Sequence, residues 1–374
     1  MRTLDSILLA YWAFALINTI LNLLLIRRRT AAPGREPFVS IIVPARDEER
    51  SIERSVRGFL AQDYPAFEVI VVDDRSSDST GPILDGIAAQ DARLVVVHGE
   101  EPPPGWLGKP WALHQGSLRA KGELLLFVDA DIDYAPQALR AGVEHIAASD
   151  AAMVFLFTNF ETHGFWEAAM MPSIPMTPFL LPLWLGERFP LTWLAIGGGT
   201  GNLIRREEYD AVGGHEALRD AVVDDVGLAQ HVRRNGHKTE IARTERLVSV
   251  RMYHGLGEIV RGFTKNIFAV FGRSYLLALF FVTGTLVFHL LPFFLALTGD
   301  PIAFAVVALI IVTRLVFFAS LGYPLWSALL LHPLTTVVWV WILLRSVWIV
   351  GIRRNLTWRG RVYDPAQTRF GAER

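Results

Sequence analysis

The sequence predicts an α/β domain with a mainly parallel sheet, flanked by transmembrane helices at both ends of the chain. Two observations predict it. Short apolar strands alternate with amphipathic helical stretches in the middle of the chain, and the charged residues are concentrated between about Arg27 and Arg273. Hydrophobic residues make up 52% of the 374 residues and dominate both ends. We therefore expect an integral membrane protein with a water-soluble middle.

The charge and the cysteine content exclude several classes of function. The formal net charge is -1, which gives no basic excess for a phosphate backbone, so no nucleic-acid partner is expected. The sequence contains no cysteine, and therefore no disulfide, thiolate metal site or cysteine nucleophile. Any metal must be bound by oxygen ligands or by histidine.

Residues 1–30 are predicted to form a membrane anchor. Ile7 to Ile26 carries no charge and is long enough to cross the hydrocarbon core. A cleaved signal peptide is the alternative, but the apolar stretch runs into the arginines Arg27 to Arg29 rather than into small residues. By the positive-inside tendency these arginines place the following domain in the cytosol. The expected location is the cell (inner or plasma) membrane, with several crossings.

The C-terminal part predicts two or three further spans within residues 276–352. The apolar stretches are Leu276 to Thr298, Pro301 to Gly322, and Leu325 to Val350. Three spans put the C-terminus outside, whereas the basic tail, residues 353–374, favours the cytosol. An even number of crossings resolves this if the segment from Pro324 to Pro333 re-enters or lies in the interface. Arg314 lies within the second stretch, where a functional role and a structural pairing both stay open.

Residues 36–275 are predicted to be the cytosolic domain. The predicted strands are Val39–Val43, Glu68–Val72, Leu94–Val97 and Leu124–Val128, and helical stretches cover about Glu48 to Gln62, the segment through Ala89, and Pro110 to Ala120. Open parallel sheets bind ligands at the carboxyl ends of their strands. The residues directly after each strand are therefore the first candidates for a site.

Asp73 and Asp74 end the second strand and enter a turn-like run, Arg75 to Thr80. One interpretation is a turn followed by a helix cap. The other is a carboxylate that accepts hydrogen bonds from the base or ribose of a nucleotide. The position at a strand end favours the second interpretation.

Asp129 and Asp131 follow the fourth strand as an Asp-Ala-Asp motif. Alternate residues of an extended segment face the same side, so both carboxylates can reach one ligand. Mg²⁺ and Mn²⁺ prefer such oxygen ligands, and either ion can neutralise a diphosphate leaving group. The motif therefore predicts a divalent metal site.

Asp224 and Asp225 precede an amphipathic helix, Val226 to Asn235, that Gly236 would close. A helix cap explains one of the two carboxylates. The alternative is that Asp225 is a general base, which takes a proton from an attacking hydroxyl group.

With these motifs in order, the chain resembles the family 2 glycosyltransferases of GT-A fold over about Phe38 to Ser274. The matching segments are 39–49 (VSIIVPARDEE), 71–80 (VVDDRSSDST), 108–112 (GKPWA), 127–131 (FVDAD) and 223–226 (VDDV). The resemblance implies a GT-A nucleotide-sugar-binding domain, with transmembrane helices at both ends.

The resemblance also implies a role for each motif. Nucleotide-sugar contacts would come from Pro44, Ala45, Arg46, Glu48, Asp73 or Asp74, Lys109 and Asp129. Asp131, with Asp129, would hold the metal, Mg²⁺ or Mn²⁺. Asp225 would be the catalytic base, which implies inversion at the anomeric carbon. Gly199, Gly201, Asn202 and Asp224 would face the sugar and the acceptor. An exposed loop lysine is the alternative for Lys109, and a plain turn is the alternative for the glycine segment 197–202.

Two departures from the family pattern narrow the type. Processive members carry a Q-x-x-R-W motif after the catalytic aspartate. The segment 254–266 has no such motif, which favours transfer of a single sugar. The segments 105–111 and 358–363 and the Asp224–Asp225 pair resemble a subgroup associated with carotenoid and hopanoid glycosylation. We expect a UDP-sugar donor and a membrane lipid or isoprenoid acceptor. A processive polysaccharide synthase, and a catalytically weak membrane scaffold that keeps the fold, are the alternatives.

An apolar insertion near residues 165–195 is the last distinctive segment. It is rich in methionine and tryptophan, and prolines break it too often for a confident span. It is expected to lie in the membrane interface, where a lipid hydroxyl group could reach the site. A buried core insertion is the alternative.

Overall fold

The computed structural model describes residues 2–30, 34–353, 356–358 and 361–363. Most of the predicted basic tail, and the side chains of the segment 358–363, lie outside the described residues. The described chain forms two compact units. Among the described residues, a helical unit comprises 2–26, 160–185 and 253–363, and a sheet unit comprises 27–159 and 186–252.

The described strands, in chain order, are β1 Val39–Ala45, β2 Phe67–Asp73, β3 Leu94–His98, β4 Leu124–Phe127, β5 Ile132–Tyr134, β6 Met153–Phe157, β7 Asn159–Phe160, β8 Asn202–Arg205, β9 Thr239–Arg243, β10 Val248–Val250, β11 Leu356–Trp358 and β12 Arg361–Tyr363. Seven of them form one sheet in the order β3-β2-β1-β4-β8-β6-β9. Only β8 runs antiparallel to its neighbours in this sheet. The predicted fold class, an α/β domain with a mainly parallel sheet, is therefore confirmed.

The described α-helices are α1 Arg2–Leu25, α2 Ile52–Leu60, α3 Thr80–Ala88, α4 Gly108–Arg119, α5 Ala138–Ala147, α6 Phe165–Met170, α7 Ser173–Phe179, α8 Leu183–Gly186, α9 Arg206–Ala211, α10 Asp224–Arg234, α11 Gly255–Val270, α12 Tyr275–Thr285, α13 Leu291–Leu297, α14 Pro301–Leu321, α15 Leu325–Leu330 and α16 His332–Ser346. The helices of the sheet unit are amphipathic. In α2, for example, Ile52, Val56, Phe59 and Leu60 are buried at helical spacing.

Four described helical segments are long and apolar enough to cross a membrane: Thr3–Leu25, Tyr275–Leu297, Pro301–Leu321 and His332–Ile352. The first three agree with the predicted stretches. The predicted stretch Leu325 to Val350 is not one helix, because it breaks at Leu331 between α15 and α16. Pro333 follows this break, and its missing N–H explains why the first helix does not continue through it.

The insertion after β7 supplies α6, α7 and the start of α8 to the helical unit. Asn22 of α1 donates from Nδ2 to the carbonyl oxygens of Phe179 and Leu181, at 2.9 and 2.8 Å, and accepts from the Trp184 N–H. The polar residues of the predicted anchor therefore bind the irregular backbone of the insertion. Met170 and Phe179 are buried within the unit, so this part of the insertion packs as a core.

Arg314 pairs with backbone rather than with an acid. The side chain is 2% exposed, and it donates to the carbonyl oxygens of Ala328 and Ser327 at 3.0 and 3.1 Å. These carbonyls belong to the end of α15, where the Ser327 oxygen also accepts from the Leu331 N–H at 3.1 Å. The structure thus gives Arg314 a structural pairing, one of the two interpretations left open by the sequence.

Arg29 belongs to the sheet unit. Its Nε lies 3.0 Å from Glu240 Oε2, and its backbone N–H donates to His145 Nδ1 at 3.1 Å. Glu240 is buried and also receives Lys238 Nζ at 2.8 Å. One of the three arginines that follow α1 is therefore used to fix the start of the sheet unit.

Candidate functional site

The carboxyl ends of the parallel strands form the first wall of the site. The register aligns Ala45 of β1 with Asp73 of β2, and Asp73 with His98 of β3. These residues therefore lie in one row across the sheet, at the edge where open α/β sheets bind ligands. Asp73 is buried, and the ring of His98 is exposed at the end of the row.

The loops after β1 and β2 bind each other. Asp47 N–H donates to Ser76 Oγ, Glu48 N–H donates to Thr80 Oγ1, and Ser77 N–H donates to Asp47 Oδ1, at 2.8 to 3.0 Å. Asp47 adopts a φ of 53°, a left-handed conformation that is costly for a residue other than glycine. These bonds fix the two loops as one frame, so the edge of the site is preorganised.

Asp73 and Asp74 have different surroundings. Asp73 Oδ1 accepts from the Ser76 N–H at 3.0 Å. This bond forms the turn that was one of the two interpretations of Asp73 and Asp74. Asp74 is buried beside Arg46, whose Nη1 donates to the Asp74 carbonyl oxygen at 2.6 Å and lies 3.7 Å from its carboxylate. Arg46 and Asp74 therefore form a bound pair at the loop, and Asp73 keeps its second carboxylate oxygen toward His98.

Lys109 joins two of the acidic motifs. Its Nζ lies 2.8 Å from Asp129 Oδ1 and 3.4 Å from Asp224 Oδ1. Burial acts against its charge, but the carboxylates of Asp129, Asp224 and Asp225 hold the pKa of Lys109 well above its ordinary value. Lys109 is thus a cation held inside an acidic cluster, and the exposed-loop interpretation of this residue does not describe the structure.

The acidic cluster carries more negative charge than Lys109 can offset. Burial, together with the nearby carboxylates of Asp129 and Glu48, raises the pKa of Asp131 to about 7. Burial also raises the pKa of Asp224 to about 7, although the Lys109 ammonium opposes this. Raised carboxyl pKa values in a cleft indicate a site that takes up positive charge.

The carboxylates of this cluster fit a divalent ion that is held jointly by the protein and by a substrate. The described residues contain no group of three or more histidine or carboxylate side chains arranged as a complete metal site. Mg²⁺ is typically held by one or two carboxylates together with substrate phosphate oxygens. Asp129 and Asp131 supply carboxylates of this kind, so the remaining ligands would come from a diphosphate and from water.

The start of α10 separates the two neighbouring aspartates. Val223 occupies the N-cap position, and no side chain caps the helix from there. Asp224 is buried and points to Lys109. Asp225 is partly exposed, and its Oδ1 accepts from the Val226 N–H at 2.8 Å. Neither residue is the N-cap, so a simple cap does not account for the pair.

The glycine segment 197–202 approaches the same cluster. A Cβ atom on Gly199 would lie 2.0 Å from Asp129 Oδ2, and the Asp129 N–H donates to the Gly199 carbonyl oxygen at 2.7 Å. Gly201 has a φ of 146°, and Tyr134 Oη donates to the neighbouring Thr200 carbonyl oxygen. Glycine is therefore required here by close approach, which a plain flexible turn does not need.

Asn202 lies behind this segment. It is 1% exposed, donates from Nδ2 to the Asp225 carbonyl oxygen at 3.0 Å, and accepts from the Gly198 N–H at 3.3 Å. Both ends of its amide are therefore used within the protein. These bonds let Asn202 position Asp225 and the glycine segment, and the contact with sugar or acceptor expected from the sequence stays a prediction.

Buried supports of the site were not found in the sequence. Tyr209 Oη bonds His215 Nδ1 at 2.8 Å, and the ring of Phe127, just before the Asp-Ala-Asp motif, packs against His215 at 4.6 Å. Burial lowers the pKa of His215 to about 3, so this ring is neutral. Gly214, next to His215, was the signal available in the sequence. The structure explains this glycine, since a Cβ at Gly214 would overlap the Tyr209 ring.

A family model of known proteins matches part of this chain. Residues 40–213 match the model of the family described as Glycosyl transferase family 2. This match ends before Asp224 and Asp225. It agrees with the resemblance noted from the motifs, and it covers the strand-end loops, Lys109, the Asp-Ala-Asp motif and the glycine segment.

Two relatives illustrate the group. A beta-monoglucosyldiacylglycerol synthase of Trichormus variabilis is 30% identical over 204 residues, which cover 52% of this chain and 41% of the relative. A 4,4'-diaponeurosporenoate glycosyltransferase of Staphylococcus haemolyticus is 24% identical over 238 residues, which cover 61% and 60% of the two chains. The chain thus spans about two fifths to three fifths of the length of these relatives.

A solved structure shows the same fold. A mannosyltransferase from Pyrobaculum calidifontis, in complex with GDP-Man and Mn²⁺, superposes with a TM-score of 0.52 at 21% identity, covering 90% of this chain and 99% of that one. The predicted GT-A-like fold is confirmed by this likeness and by the family match.

Proposed function

We propose that this chain, whose residues 40–213 match the model of the family described as Glycosyl transferase family 2, is an inverting, metal-dependent and non-processive glycosyltransferase, which moves one sugar from a nucleotide-sugar to a lipid-like acceptor at the membrane. The observation that carries the proposal is the convergence of Lys109, Asp129 and Asp224 at the carboxyl edge of the sheet. Two relatives are named for lipid-type acceptors, a diacylglycerol and a carotenoid acid, which supports the acceptor class.

The donor is proposed to lie along the row of strand ends. The frame formed by the loops after β1 and β2, with Pro44, Ala45 and Glu48, would hold the nucleoside, and Asp73 would accept from its base or ribose. The diphosphate would then reach Lys109 and Asp129. A UDP-sugar is the proposed donor; the superposed mannosyltransferase binds a GDP-sugar, so both nucleotides belong in the test.

Asp129 and Asp131 would hold Mg²⁺ or Mn²⁺, which supplies positive charge to the leaving diphosphate. The Lys109 ammonium adds to this charge at the same oxygens. Asp225 takes the proton of the acceptor hydroxyl group, whose oxygen forms a bond to the anomeric carbon. The bond from that carbon to the diphosphate breaks on the opposite face, so the configuration inverts and a nucleoside diphosphate leaves.

We place the enzyme in the cell membrane with several crossings and with the sheet unit in the cytosol. Four described helices have the required length and apolarity, and Arg27 and Arg28 follow the first of them. Arg29, which pairs with Glu240, comes next, and the three arginines together favour the cytosol by the positive-inside tendency.

Radiolabelled transfer tests the proposal. Full-length protein in detergent with Mn²⁺ is given UDP-glucose or GDP-mannose, each with a lipid extract from the source cells. Asp225→Asn is expected to lower lipid labelling by at least about 1,000-fold, because the base is lost, while nucleotide binding stays close to wild type. The control is Asp63→Asn, whose side chain is 68% exposed away from the site.

Equal labelling by wild type and Asp225→Asn would remove Asp225 as the base. Labelled products longer than one sugar would favour the processive alternative, and no turnover of either donor by the wild type would favour the scaffold. Mass spectrometry of lipids from cells with and without the gene would identify the sugar and the acceptor together.

A further inference from the structure

Two of the apolar helices of the helical unit are interrupted. A π-helical turn, Leu286–Leu290, separates α12 from α13, and the break at Leu331 separates α15 from α16. Interruptions of membrane helices persist where other groups bind the freed backbone. They often accompany binding sites, because they turn backbone and helix ends toward a ligand.

The first interruption is satisfied within the protein. Pro292 follows the π-helical turn and has no N–H to donate to the Phe288 carbonyl oxygen four residues earlier. Trp12 of α1 is fully buried and donates to that oxygen from Nε1 at 2.7 Å. This contact explains Trp12, and it brings α1 against His289.

The second interruption leaves a polar side chain unsatisfied. His332 is the first residue of α16 and is 6% exposed, yet neither ring nitrogen makes a hydrogen bond of good geometry within the described part of the chain, although the backbone of His289 lies beside the ring. The rings of His289 and Phe293 stack on it, with centroids 5.4 and 5.7 Å away. An unsatisfied buried polar group costs about 1–3 kcal/mol, so a phenylalanine would fill this space at lower cost.

The groups around His332 favour a negative ligand. His332 begins a helix of 15 residues, and the start of a helix is its positive end. Arg314 lies nearby, since it donates to the carbonyl oxygens of Ala328 and Ser327, four and five residues before His332. Arg314 itself is bonded only to carbonyl oxygens and has no carboxylate partner among the described residues. A buried cation without an anion is costly in an apolar unit.

The cluster also has an open side. Tyr11 and His289 are only partly buried, and Tyr11 Oη lies 3.4 Å from His289 Nε2. One of the two donates to the other, so this pair leaves one donor for a ligand beside His332. The helices that carry them are long and apolar enough to cross a membrane, so the molecules next to this opening are lipids.

We propose that His332, His289 and Tyr11 bind the oxyanion of a membrane lipid, of the phosphate class, at the break between α15 and α16. The His332 N–H and the donor that the Tyr11–His289 pair leaves would donate to the anion, and Arg314 would balance its charge from behind the carbonyls that it caps. This site is independent of the glycosyl transfer proposed above, and the test does not use catalytic activity.

The test measures lipid-induced stabilisation of the full-length protein in detergent. The probes are dioleoyl phosphatidate, dioleoylglycerol and inorganic phosphate. Phosphatidate is expected to raise the Tm of the wild type by roughly 4 °C when present well above its Kd, and native mass spectrometry is expected to show one bound phosphatidate. Neither dioleoylglycerol nor inorganic phosphate should do so.

The variant His332→Phe keeps a ring of similar shape and removes both nitrogens. Its lipid-free Tm is expected to equal or exceed that of the wild type, because an unsatisfied polar group is lost, and its response to phosphatidate is expected to fall at least fourfold. His289→Phe provides a second, independent variant. The control is His163→Phe, an exposed histidine of the same unit that bonds Glu161.

Several outcomes would overturn the site. An unchanged phosphatidate response in His332→Phe and His289→Phe would do so. A marked drop in lipid-free Tm with an unchanged lipid response would make His332 a structural residue only. Equal stabilisation by dioleoylglycerol would remove the requirement for an anion, and equal stabilisation by inorganic phosphate would replace the lipid by a free ion.

Discussion

Asn202 holds the backbone of Asp225 directly. Its Nδ2 donates to the Asp225 carbonyl oxygen at 3.0 Å, and its amide oxygen accepts from Gly198. One buried side chain therefore fixes two sides of the proposed site, the start of α10 and the glycine segment. The proposed base and the glycine segment are thus positioned by the same amide.

Asn202→Ala is expected to lower kcat by about 10- to 100-fold, because the carboxylate of Asp225 loses its fixed orientation. The KM for the donor should change much less, since the strand-end loops are not touched. Steady-state kinetics with varied donor and acceptor would measure this. A change confined to the donor KM would contradict a positioning role, and Asn235→Ala, at the exposed end of α10, serves as the control.

Lys109→Met is expected to destabilise the protein by on the order of 3 kcal/mol, because the buried Asp224 carboxylate loses its cation. Asp224→Asn should remove much of that loss when it is added to Lys109→Met. Denaturation of the four proteins of this cycle would give the coupling energy. Additive effects would show that the two residues do not interact as the 3.4 Å distance indicates.

Gly199→Ala is expected to lower the affinity for Mn²⁺ and nucleotide by at least about tenfold. The added Cβ would lie 2.0 Å from Asp129 Oδ2, so the carboxylate must move. Isothermal titration would measure the affinity. Gly86→Ala in α3 has open space around its Cβ and should be neutral, or stabilising by up to about 1 kcal/mol.

The titration of Asp131 predicts two opposite dependences on pH. Its pKa is raised to about 7, so the metal must compete with a proton below pH 7. Mn²⁺ affinity should fall by up to about tenfold per pH unit there. In the metal-free protein the raised pKa favours the folded state at low pH. This stabilisation should be lost as the pH rises from about 4 through 7.

Asp131→Asn should flatten the pH dependence of metal-free stability, and it should also weaken Mn²⁺ binding at pH 8. Thermal unfolding at pH 5, 6, 7 and 8, with and without Mn²⁺, would measure both. An unchanged pH profile in the variant would assign the titration to another group, of which Asp224 is the first candidate.

The strand-end residues were predictable because their signals are local. An apolar run followed by Asp73 or by Asp129 marks the carboxyl end of a parallel strand, and the register then brings such ends together. The antiparallel β8 was not predictable in this way. Its direction depends on pairing with β4 and β6, which are distant in the sequence.

Contacts between motifs were also hidden from the sequence. Lys109 and Asp224 are 115 positions apart, and nothing in the spacing shows that the ammonium lies between Asp224 and Asp129. The bond from Asn202 to Asp225 was hidden for the same reason, since it depends on the placement of α10. The break at Leu331 had a local signal in Pro333, but an apolar stretch of uniform composition concealed it.

The interleaving of the two units constrains how the protein is made. Strand β6 ends at Phe157 and pairs with β9, which begins at Thr239, and the segment that joins the helical unit, 160–185, is translated between them. A ribosome therefore delivers α1, most of the sheet, and then α6 and α7, before the last strand of the sheet exists. The sheet is therefore completed only after the segment 160–185 of the helical unit has been translated. A nascent chain stalled before residue 239 would carry an unpaired edge at β6.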